Sequence, residues 1–359
     1  MSKIGLREHV LKQYSLDELV IKPFDINSVN FKINNLWRYH QFLPVDIADV
    51  VSMGEGYTPL IQIDICGSLV YIKQEQLFPT GSYKDRGATV LMSYARKQQI
   101  TKVVQDSSGN AGCAIAAYAA NAGILCDIFV PEDTSEAKLT QIRAYGANLI
   151  LVSGDREATA DAALEAAKDR YYASHCYNPL FLHGTKTFAY EVCEQLGWQA
   201  PDAVVLPAGN GTLILGCYMG FEHLLNSGVI DKMPRIIAVQ AQSCAPLFNA
   251  WEQGLIEPKM VKSEYTLAEG IAIANPVKGK EMLQAVRATN GFFVAVTEDE
   301  ITAALKLCLA KGFYIEPTSA ATIAGFIKAK ENLNVKTWVT LFSGHGLKST
   351  EKIISLLKK

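Results

Sequence analysis

Short apolar runs alternate with alanine-rich stretches through the middle of the chain. Strands are predicted at 102–104, 126–130 and 148–152, and helices at 110–122 and 135–145. Parallel strands in one sheet are joined by right-handed crossovers that carry helices to its faces. The β-α-β-α order therefore predicts a parallel sheet with a helix after each strand.

Further buried strands are predicted in the second half of the chain, where continuous apolar runs close at polar or glycine-rich turns. These runs are 203–206, 236–239 and 337–341. Unbroken apolar runs are typical of strands that are covered on both faces. The whole pattern predicts an α/β fold of two doubly wound, mostly parallel lobes, with 254–275 as an irregular excursion.

Composition and charge narrow the class of protein. The 359 residues carry a formal net charge of -2, so no overall basic field attracts nucleic acid or an anionic membrane. Eight cysteines without a C-x-x-C pair indicate a reducing compartment and no zinc site, and the six histidines show no metal-ligand spacing. The first residues, 1–8, contain no apolar leader, and no apolar run reaches the roughly 18 residues of a membrane span. We expect a cytoplasmic protein without metal, nucleic acid or membrane partners.

One lysine stands at a predicted strand-to-helix turn. Lys84 lies in P-T-G-S-Y-K-D-R-G, between a strand at 71–73 and a helix at 87–96. A lysine amine is a nucleophile only after it loses a proton, and partial burial beside Arg86 would lower the pKa of Lys84 toward that condition. On these residues alone, a solvated surface charge is the other open interpretation.

Two glycine-rich turns follow predicted strands and open helices. In S-S-G-N-A-G, 107–112, backbone amides could form a nest for a carboxylate, and Asn110 could cap the helix. In P-A-G-N-G-T-L, 207–213, amides at a helix N-terminus could cradle a phosphate. Ile214 stands where a dinucleotide turn needs glycine, and the loop lacks a Walker lysine, so NAD and ATP are disfavoured. Each turn taken alone could also be an ordinary helix start.

A third polar turn, S-G-H-G-L-K at 343–348, closes the last predicted strand. It offers the hydroxyl of Ser343 and the imidazole of His345, although a structural hydrogen bond is the commoner role of such a histidine. Ligands of open α/β sheets bind at the carboxyl ends of strands, where all these turns fall. A lysine, an amide nest, a phosphate cradle and a hydroxyl together predict a covalently held phosphorylated aldehyde, pyridoxal 5'-phosphate.

In these segments the chain resembles the threonine synthases, which belong to the tryptophan-synthase-β-like (fold type II) family of pyridoxal-phosphate enzymes. The resemblance runs from about Leu36 to the C-terminus, through G-E-G-Y-T-P-L, P-T-G-S-Y-K-D-R-G, S-S-G-N-A-G, G-N-G-T-L, E-P-T-S-A and S-G-H-G-L-K. It implies a homodimer whose large cofactor-binding lobe comprises 1–85 and 185–359, with an N-terminal extension, and whose smaller mobile α/β lobe comprises 86–184.

The resemblance also implies roles for individual residues. Lys84 would form the Schiff base with the cofactor and then move protons on the substrate. Asn110 would bond the ring hydroxyl, and Ser343 would face the pyridine nitrogen and leave it less fully protonated than a carboxylate partner would. The cofactor phosphate would be held by the backbone of Gly209, Asn210, Gly211, Thr212 and Leu213, and the substrate carboxylate by Ser108, Gly109 and Ala111.

The implied reaction converts O-phospho-L-homoserine and water into L-threonine and phosphate. The chain departs from the family pattern at Phe181, where many threonine synthases have an arginine that grips the substrate phosphate. That role would pass to Lys186, which offers a point charge in place of a planar fork.

Three alternatives stay open at this stage. A threonine or serine dehydratase and a β-replacement enzyme of the cysteate or cysteine synthase type would use the same scaffold. Dehydratases usually carry histidine where this chain has Ala111, and cysteine synthases usually carry threonine at that position and at Ser107. A non-catalytic amino-acid-binding homologue would have no need for a nucleophile at Lys84.

Overall fold

The structure is a computed structural model that describes residues 22–154 and 156–358. The expectation that 1–8 contain no apolar leader lies outside these residues. The strands are β1 (Leu60–Ile65), β2 (Ser68–Lys73), β3 (Lys102–Gln105), β4 (Leu125–Pro131), β5 (Asn148–Val152), β6 (Tyr171–Tyr172), β7 (Ala203–Pro207), β8 (Arg235–Ala241), β9 (Phe292–Val296) and β10 (Trp338–Leu341). The helices are α1 (Lys84–Lys97), α2 (Asn110–Ala122), α3 (Glu136–Ala144), α4 (Arg156–Ala166), α5 (Pro179–Thr185), α6 (Thr187–Gln195), α7 (Thr212–Asn226), α8 (Pro246–Glu252), α9 (Gly279–Ala288), α10 (Glu298–Ala310), α11 (Pro317–Asn332) and α12 (Thr350–Leu357).

The chain divides into two compact units. Unit 1 takes in Asn27–Gly56 and Lys84–Thr185, and unit 2 takes in Phe24–Ile26, Tyr57–Tyr83 and Lys186–Lys359. The sequence predicts a large lobe of 1–85 and 185–359 and a small lobe of 86–184. Their separate functional roles stay a prediction. Their boundaries differ from this division because Asn27–Gly56 belongs with unit 1.

Hydrogen bonds to helix α1 explain why the segment Asn27–Gly56 belongs with unit 1. The indole Nε1 of Trp37 donates to Thr89 Oγ1 at 3.0 Å, and the Val51 N–H donates to Ser93 Oγ at 2.8 Å. All four residues are buried. The segment packs against α1 because these hydrogen bonds satisfy its buried polar groups. Its sequence has no pattern typical of a strand or a long helix.

Unit 1 is built on a four-stranded parallel sheet of order β5-β4-β3-β6. The alanine-rich face of α2 is buried in its core, together with Val103 and Ile128 of the central strands. Small side chains let this helix approach the sheet closely. A stretch whose apolar and polar faces differ little in hydrophobicity can therefore still form a buried helix.

Helices α1 and α5 of unit 1 approach each other at two glycines. A Cβ atom on Gly87 would lie 2.2 Å from Cδ1 of Phe181, and one on Gly184 would lie 1.9 Å from the carbonyl oxygen of Arg86. Phe181 is fully buried, and its ring covers the position where any side chain at residue 87 would stand. The apolar residue in the predicted phosphate-binding segment is therefore a core side chain.

Unit 2 is built on a six-stranded sheet of order β1-β2-β10-β7-β8-β9. Its strand pairs are parallel apart from the antiparallel edge hairpin of β1 and β2. Strand β7 is buried along its whole length at the centre of the sheet, as its unbroken apolar run predicts. The predicted α/β fold with mostly parallel sheets is confirmed.

The segment predicted to be irregular, 254–275, contains only one short 3-10 turn, Glu269–Ile271. Its glycines and prolines prevent a regular element from continuing. Within the part of the chain that the structure describes, helices are too short or too polar to cross a membrane.

Candidate active site

Lys84 is the first residue of helix α1, three residues before the predicted start at residue 87. Asp85 in the first turn favours this earlier start because a carboxylate stabilises the positive end of a helix. The residues before it are tied down within unit 2, where Tyr83 N–H donates to the Ser343 carbonyl at 3.1 Å and Ser82 forms a bridge with Gly344. A half-buried lysine thus follows a backbone segment of fixed conformation.

The predicted phosphate cradle, 209–213, joins the end of β7 to the start of α7 at Thr212. Gly211 has a φ of +88°, a value that side-chain-bearing residues rarely adopt. A Cβ atom on Gly209 would lie 2.6 Å from the carbonyl oxygen of Gly270. Both glycines are therefore required by the backbone, and the first turn of α7 presents main-chain donors at the positive end of a 15-residue helix.

The side chain of Tyr83 reaches this same loop within unit 2. Its hydroxyl lies 3.0 Å from the hydroxyl of Thr212. The residue that precedes the lysine is thus hydrogen-bonded to the first residue of α7. No sequence motif had pointed to a role for the Tyr83 side chain.

Ser343 follows strand β10 and is fully buried. Its Oγ donates to Glu316 Oε1 at 2.7 Å and lies 3.1 Å from Ser319 Oγ. The E-P-T-S-A and S-G-H-G-L-K segments therefore form one polar network. His345 has a different role, because its Nδ1 accepts from the Leu347 N–H at 3.2 Å in the following 3-10 turn.

The predicted carboxylate nest lies in unit 1, between β3 and α2. The prediction that Asn110 caps this helix is wrong, because Asn110 is the first residue of α2 and Gly109, which has no side chain, holds the cap position. A Cβ atom on Gly112 would lie 1.8 Å from the carbonyl oxygen of Ser107, so glycine lets the loop fold against the helix. Ser108 is half-buried, and Ala111 is buried. The turn supplies main-chain donors suited to a carboxylate.

A buried histidine, His175, interacts electrostatically with Lys84, and no sequence motif pointed to it. Burial, reinforced by the positive charge of Lys84, lowers the pKa of His175 to about 3, so the imidazole is neutral at physiological pH. Its Nε2 lies 3.3 Å from Cys176 Sγ, and its ring centroid lies 6.0 Å from that of Phe181. No local motif connects His175 with a lysine so distant in the chain.

A buried carboxylate next to the nest was also missed. Asp106 accepts from Arg156 Nη2 at 2.6 Å and from the hydroxyl of Tyr172 at 2.9 Å. The ion pair raises the pKa of Arg156, against the opposing effect of its burial. Asp106 is thereby fixed at the end of β3, immediately before Ser107.

Lys186, predicted to bind a substrate phosphate, is only 1% exposed and belongs to unit 2. Its Nζ lies 5.7 Å from the ring centroid of Tyr190. Burial lowers the pKa of Lys186 to about 7. Its charge therefore changes near neutral pH, and its role at a phosphate stays a prediction.

The residues present fit the expected pyridoxal phosphate. Lys84 provides an amine for its aldehyde, and the 209–213 turn presents main-chain donors along a backbone path that requires glycine at 209 and 211. Ser343 provides a buried hydroxyl suited to the ring nitrogen. Among the residues that the structure describes, no cluster of His, Cys, Asp or Glu could hold a metal ion.

The chain is similar to known proteins over most of its length. A family model described as "Pyridoxal-phosphate dependent enzyme" matches residues 51–344. The chain is 36% identical to the threonine synthase of Methanocaldococcus jannaschii, over 96% of this chain and 92% of that protein. It is 32% identical to the threonine synthase of Methanosarcina acetivorans, over 93% and 85%. The crystal structure of serine racemase from Dictyostelium discoideum is similar with a TM-score of 0.68 and 26% identity, over 80% of this chain and 92% of that one.

Proposed function

We propose that this chain, which belongs to the family of pyridoxal-phosphate-dependent enzymes, converts O-phospho-L-homoserine and water into L-threonine and phosphate. The observation that carries the proposal is the similarity to two threonine synthases along nearly the whole length of the chain and most of each relative. Membership of this family confirms pyridoxal 5'-phosphate as the cofactor. The identity of the substrate is what we propose.

In this reaction phosphate leaves the γ carbon of the substrate, and water adds at the β carbon. When bound, the cofactor supplies an electron sink for the substrate carbanion. We assign the covalent anchor and the proton transfers at the α and β carbons to Lys84, whose amine is a nucleophile and a base in turn. The amides of 209–213 would hold the cofactor phosphate, and Ser343 would face its ring nitrogen.

The substrate would be oriented by residues of unit 1. Main-chain donors of Ser108, Gly109 and Ala111 suit its α-carboxylate, and the amide of Asn110 suits the ring hydroxyl of the cofactor. The small side chain of Ala111 supports the synthase over a dehydratase, because dehydratases of this scaffold usually have histidine there. His175, which is neutral, would contribute no positive charge to the binding of the substrate phosphate.

The proposed reaction is tested with four substrates offered separately to the purified holoenzyme. These are O-phospho-L-homoserine, L-threonine, L-serine and O-phospho-L-serine, with phosphate, L-threonine and 2-oxo acid measured in each. We expect equal amounts of phosphate and L-threonine from the first and slow or no turnover of the others. Formation of 2-oxo acid from threonine or serine as the main activity would identify a dehydratase, and phosphate release without threonine would reject the proposal.

Replacing Lys186 by alanine should raise KM for O-phospho-L-homoserine by about 10-fold to 100-fold, the cost of one charge-assisted contact. Inhibition by inorganic sulfate, which keeps its charge, provides the second measurement. Lys186 is protonated below its pKa of about 7 and loses its charge as the pH rises through that value. Sulfate should therefore inhibit wild type more strongly at low pH, and Lys186→Ala should flatten this dependence.

The Lys186 prediction has a matched control in Lys278→Ala, which removes a half-buried lysine of the same unit that pairs with Glu281. The control should leave KM and the sulfate profile unchanged. A Lys186→Ala enzyme with the wild-type KM and pH profile would remove Lys186 from the substrate site.

We include a homodimer and a cytoplasmic location in the proposal, by similarity to the threonine synthases. The amino-acid substrate is consistent with the enzyme family. Light scattering of the purified holoenzyme would give the mass to compare with the 39.3 kDa chain.

A further inference from the structure

We propose that Arg156 binds the phosphate group of the substrate and thereby selects amino acids that carry a phosphate. The inference rests on the proposed function, which supplies the phosphorylated substrate. It adds a second cation to that function, because the resemblance assigned the substrate phosphate to Lys186 alone. Arg156 belongs to unit 1, where the predicted carboxylate nest also lies.

The sheet of unit 1 brings Arg156 to the edge at which the nest lies. Strands β3, β4 and β5 are parallel neighbours, so their carboxyl ends share one edge of the sheet. Asp106 directly follows β3 and precedes the nest at 107–112, whereas Arg156 begins helix α4 after β5. Arg156 Nη2 lies 2.6 Å from Asp106 Oδ2, so the guanidinium reaches the end of β3. This is the edge at which open α/β sheets bind their ligands.

Asp106 holds the guanidinium from its buried side. The Asp106 carboxylate is itself buried, and its second oxygen accepts from the hydroxyl of Tyr172 on β6 at 2.9 Å. The Arg156 side chain is 56% exposed. A guanidinium has five N–H donors in a rigid, planar fork. With one of its nitrogens fixed on Asp106, the fork is oriented in advance, and donors on its exposed side can bind a ligand.

The electrostatics of His175 connect Arg156 with Lys84. Burial is the main reason why the pKa of His175 is lowered to about 3, and the positive charges of Lys84 and Arg156 lower it further. The negative charge of Asp106 acts in the opposite direction. Because such interactions weaken with distance, both cations lie in the neighbourhood of one imidazole. A substrate that reacts at Lys84 can therefore extend its phosphate toward Arg156.

The chemistry of the guanidinium matches a phosphate ester. Such a group carries a charge of about -1.5 to -2 near neutral pH and has three acceptor oxygens, two of which an arginine can bind through parallel N–H groups. The Arg156–Asp106 pair has no net charge, so binding would depend on these direct hydrogen bonds rather than on long-range attraction. A tetrahedral oxyanion is therefore favoured over a spherical ion such as chloride. Arginine also keeps its charge at pH values where Lys186 loses its own.

The test measures sulfate binding to the holoenzyme by calorimetry at about pH 8.5, where Lys186 is mostly neutral because its pKa is about 7. Holoenzyme is used so that the cofactor phosphate fills the 209–213 turn. Arg156→Ala should weaken sulfate binding by about 10-fold to 100-fold, the cost of one charge-assisted contact. It should raise KM for O-phospho-L-homoserine by a similar factor with kcat little changed, because the contact is made before and during the reaction. Chloride at the same ionic strength should compete only weakly with sulfate.

Two further variants separate binding from a structural effect. Arg156→Ala leaves the buried Asp106 without its cation, whereas Arg156→Met/Asp106→Asn removes both charges and keeps an acceptor for Tyr172. The double variant should lose sulfate binding to the same extent. Arg143→Ala is the matched control, because it removes a half-exposed arginine of unit 1 that pairs with Glu136 at 3.3 Å. It should keep the wild-type sulfate affinity and KM.

Wild-type holoenzyme that binds no sulfate at this pH would overturn the inference. Wild-type affinity and KM in Arg156→Ala would do so as well, and so would recovery of sulfate binding in the double variant. The binding measurement needs no turnover. If O-phospho-L-homoserine yields no threonine while Arg156→Ala still loses sulfate binding, the proposed reaction fails and the oxyanion site remains, so the two proposals can fail separately.

Discussion

Replacing Lys84 by alanine should abolish covalent attachment of the cofactor and lower kcat by at least about 10²-fold to 10⁴-fold, the range that a positioned acid-base group contributes. Wild-type protein should be yellow, with the visible absorption band of lysine-bound pyridoxal phosphate, and the variant should lack this band. The effect is large because the same amine anchors the cofactor and moves the substrate protons. Absorption spectra and phosphate release would measure the two losses.

Lys97→Ala is the matched control for Lys84, because Lys97 ends the same helix α1. Its side chain is 40% exposed and pairs with the exposed Asp46 at 3.5 Å, a contact of small energetic value. The control should keep the absorption band and the wild-type kcat. A Lys84→Ala protein that retains the band would move the covalent site to another lysine.

Replacing Glu191 by alanine should destabilise the protein by about 3–5 kcal/mol, the usual cost of leaving one charge of a buried pair without its partner. Lys73 Nζ lies 2.8 Å from Glu191 Oε2, and both side chains are fully buried. Lys73 also donates to Gln195 Oε1 at 2.8 Å and to the Thr58 carbonyl. These neutral acceptors do not replace the lost negative charge. Urea unfolding followed by circular dichroism would give the free-energy difference.

Two comparisons separate this effect from a general loss of packing. Glu257→Ala breaks the exposed Lys280–Glu257 pair and should cost less than about 1 kcal/mol. The double variant Lys73→Met/Glu191→Leu removes both charges and should recover much of the loss, because apolar residues of similar size often replace a buried pair without penalty. If Glu191→Ala costs no more than Glu257→Ala, the buried pair has little influence on stability.

Elements whose sequence signals are local have the bounds that the sequence predicts. Helix α2 and strand β5 have the bounds that their hydrophobic patterns predict, Asn110–Ala122 and Asn148–Val152. Glycine signals are local too, because a positive φ at Gly211 depends only on its own turn. The start of α1 was missed by three residues, since Asp85 extends the helix toward Lys84.

Contacts between distant segments could not be predicted in the same way. The segment Asn27–Gly56 belongs to unit 1 because Trp37 and Val51 form hydrogen bonds with α1. The hydrophobic periodicity of the sequence does not predict such hydrogen bonds. The position of Phe181 looked like a lost phosphate contact in the sequence. In the structure its ring lies over Gly87, a close approach that only the packing of α1 against α5 reveals.

By itself the sequence determined the α/β class, the alternation of strands and helices between residues 102 and 152, and the cofactor, because hydrophobic period and glycine-rich turns act over a few residues. Only the tertiary structure decided what surrounds the predicted groups. It brought Glu316 to Ser343, His175 into the electrostatic neighbourhood of Lys84, and Lys186 into a buried position. Burial and hydrogen-bond direction set proton positions and pKa values, and both arise from segments that are far apart in the chain.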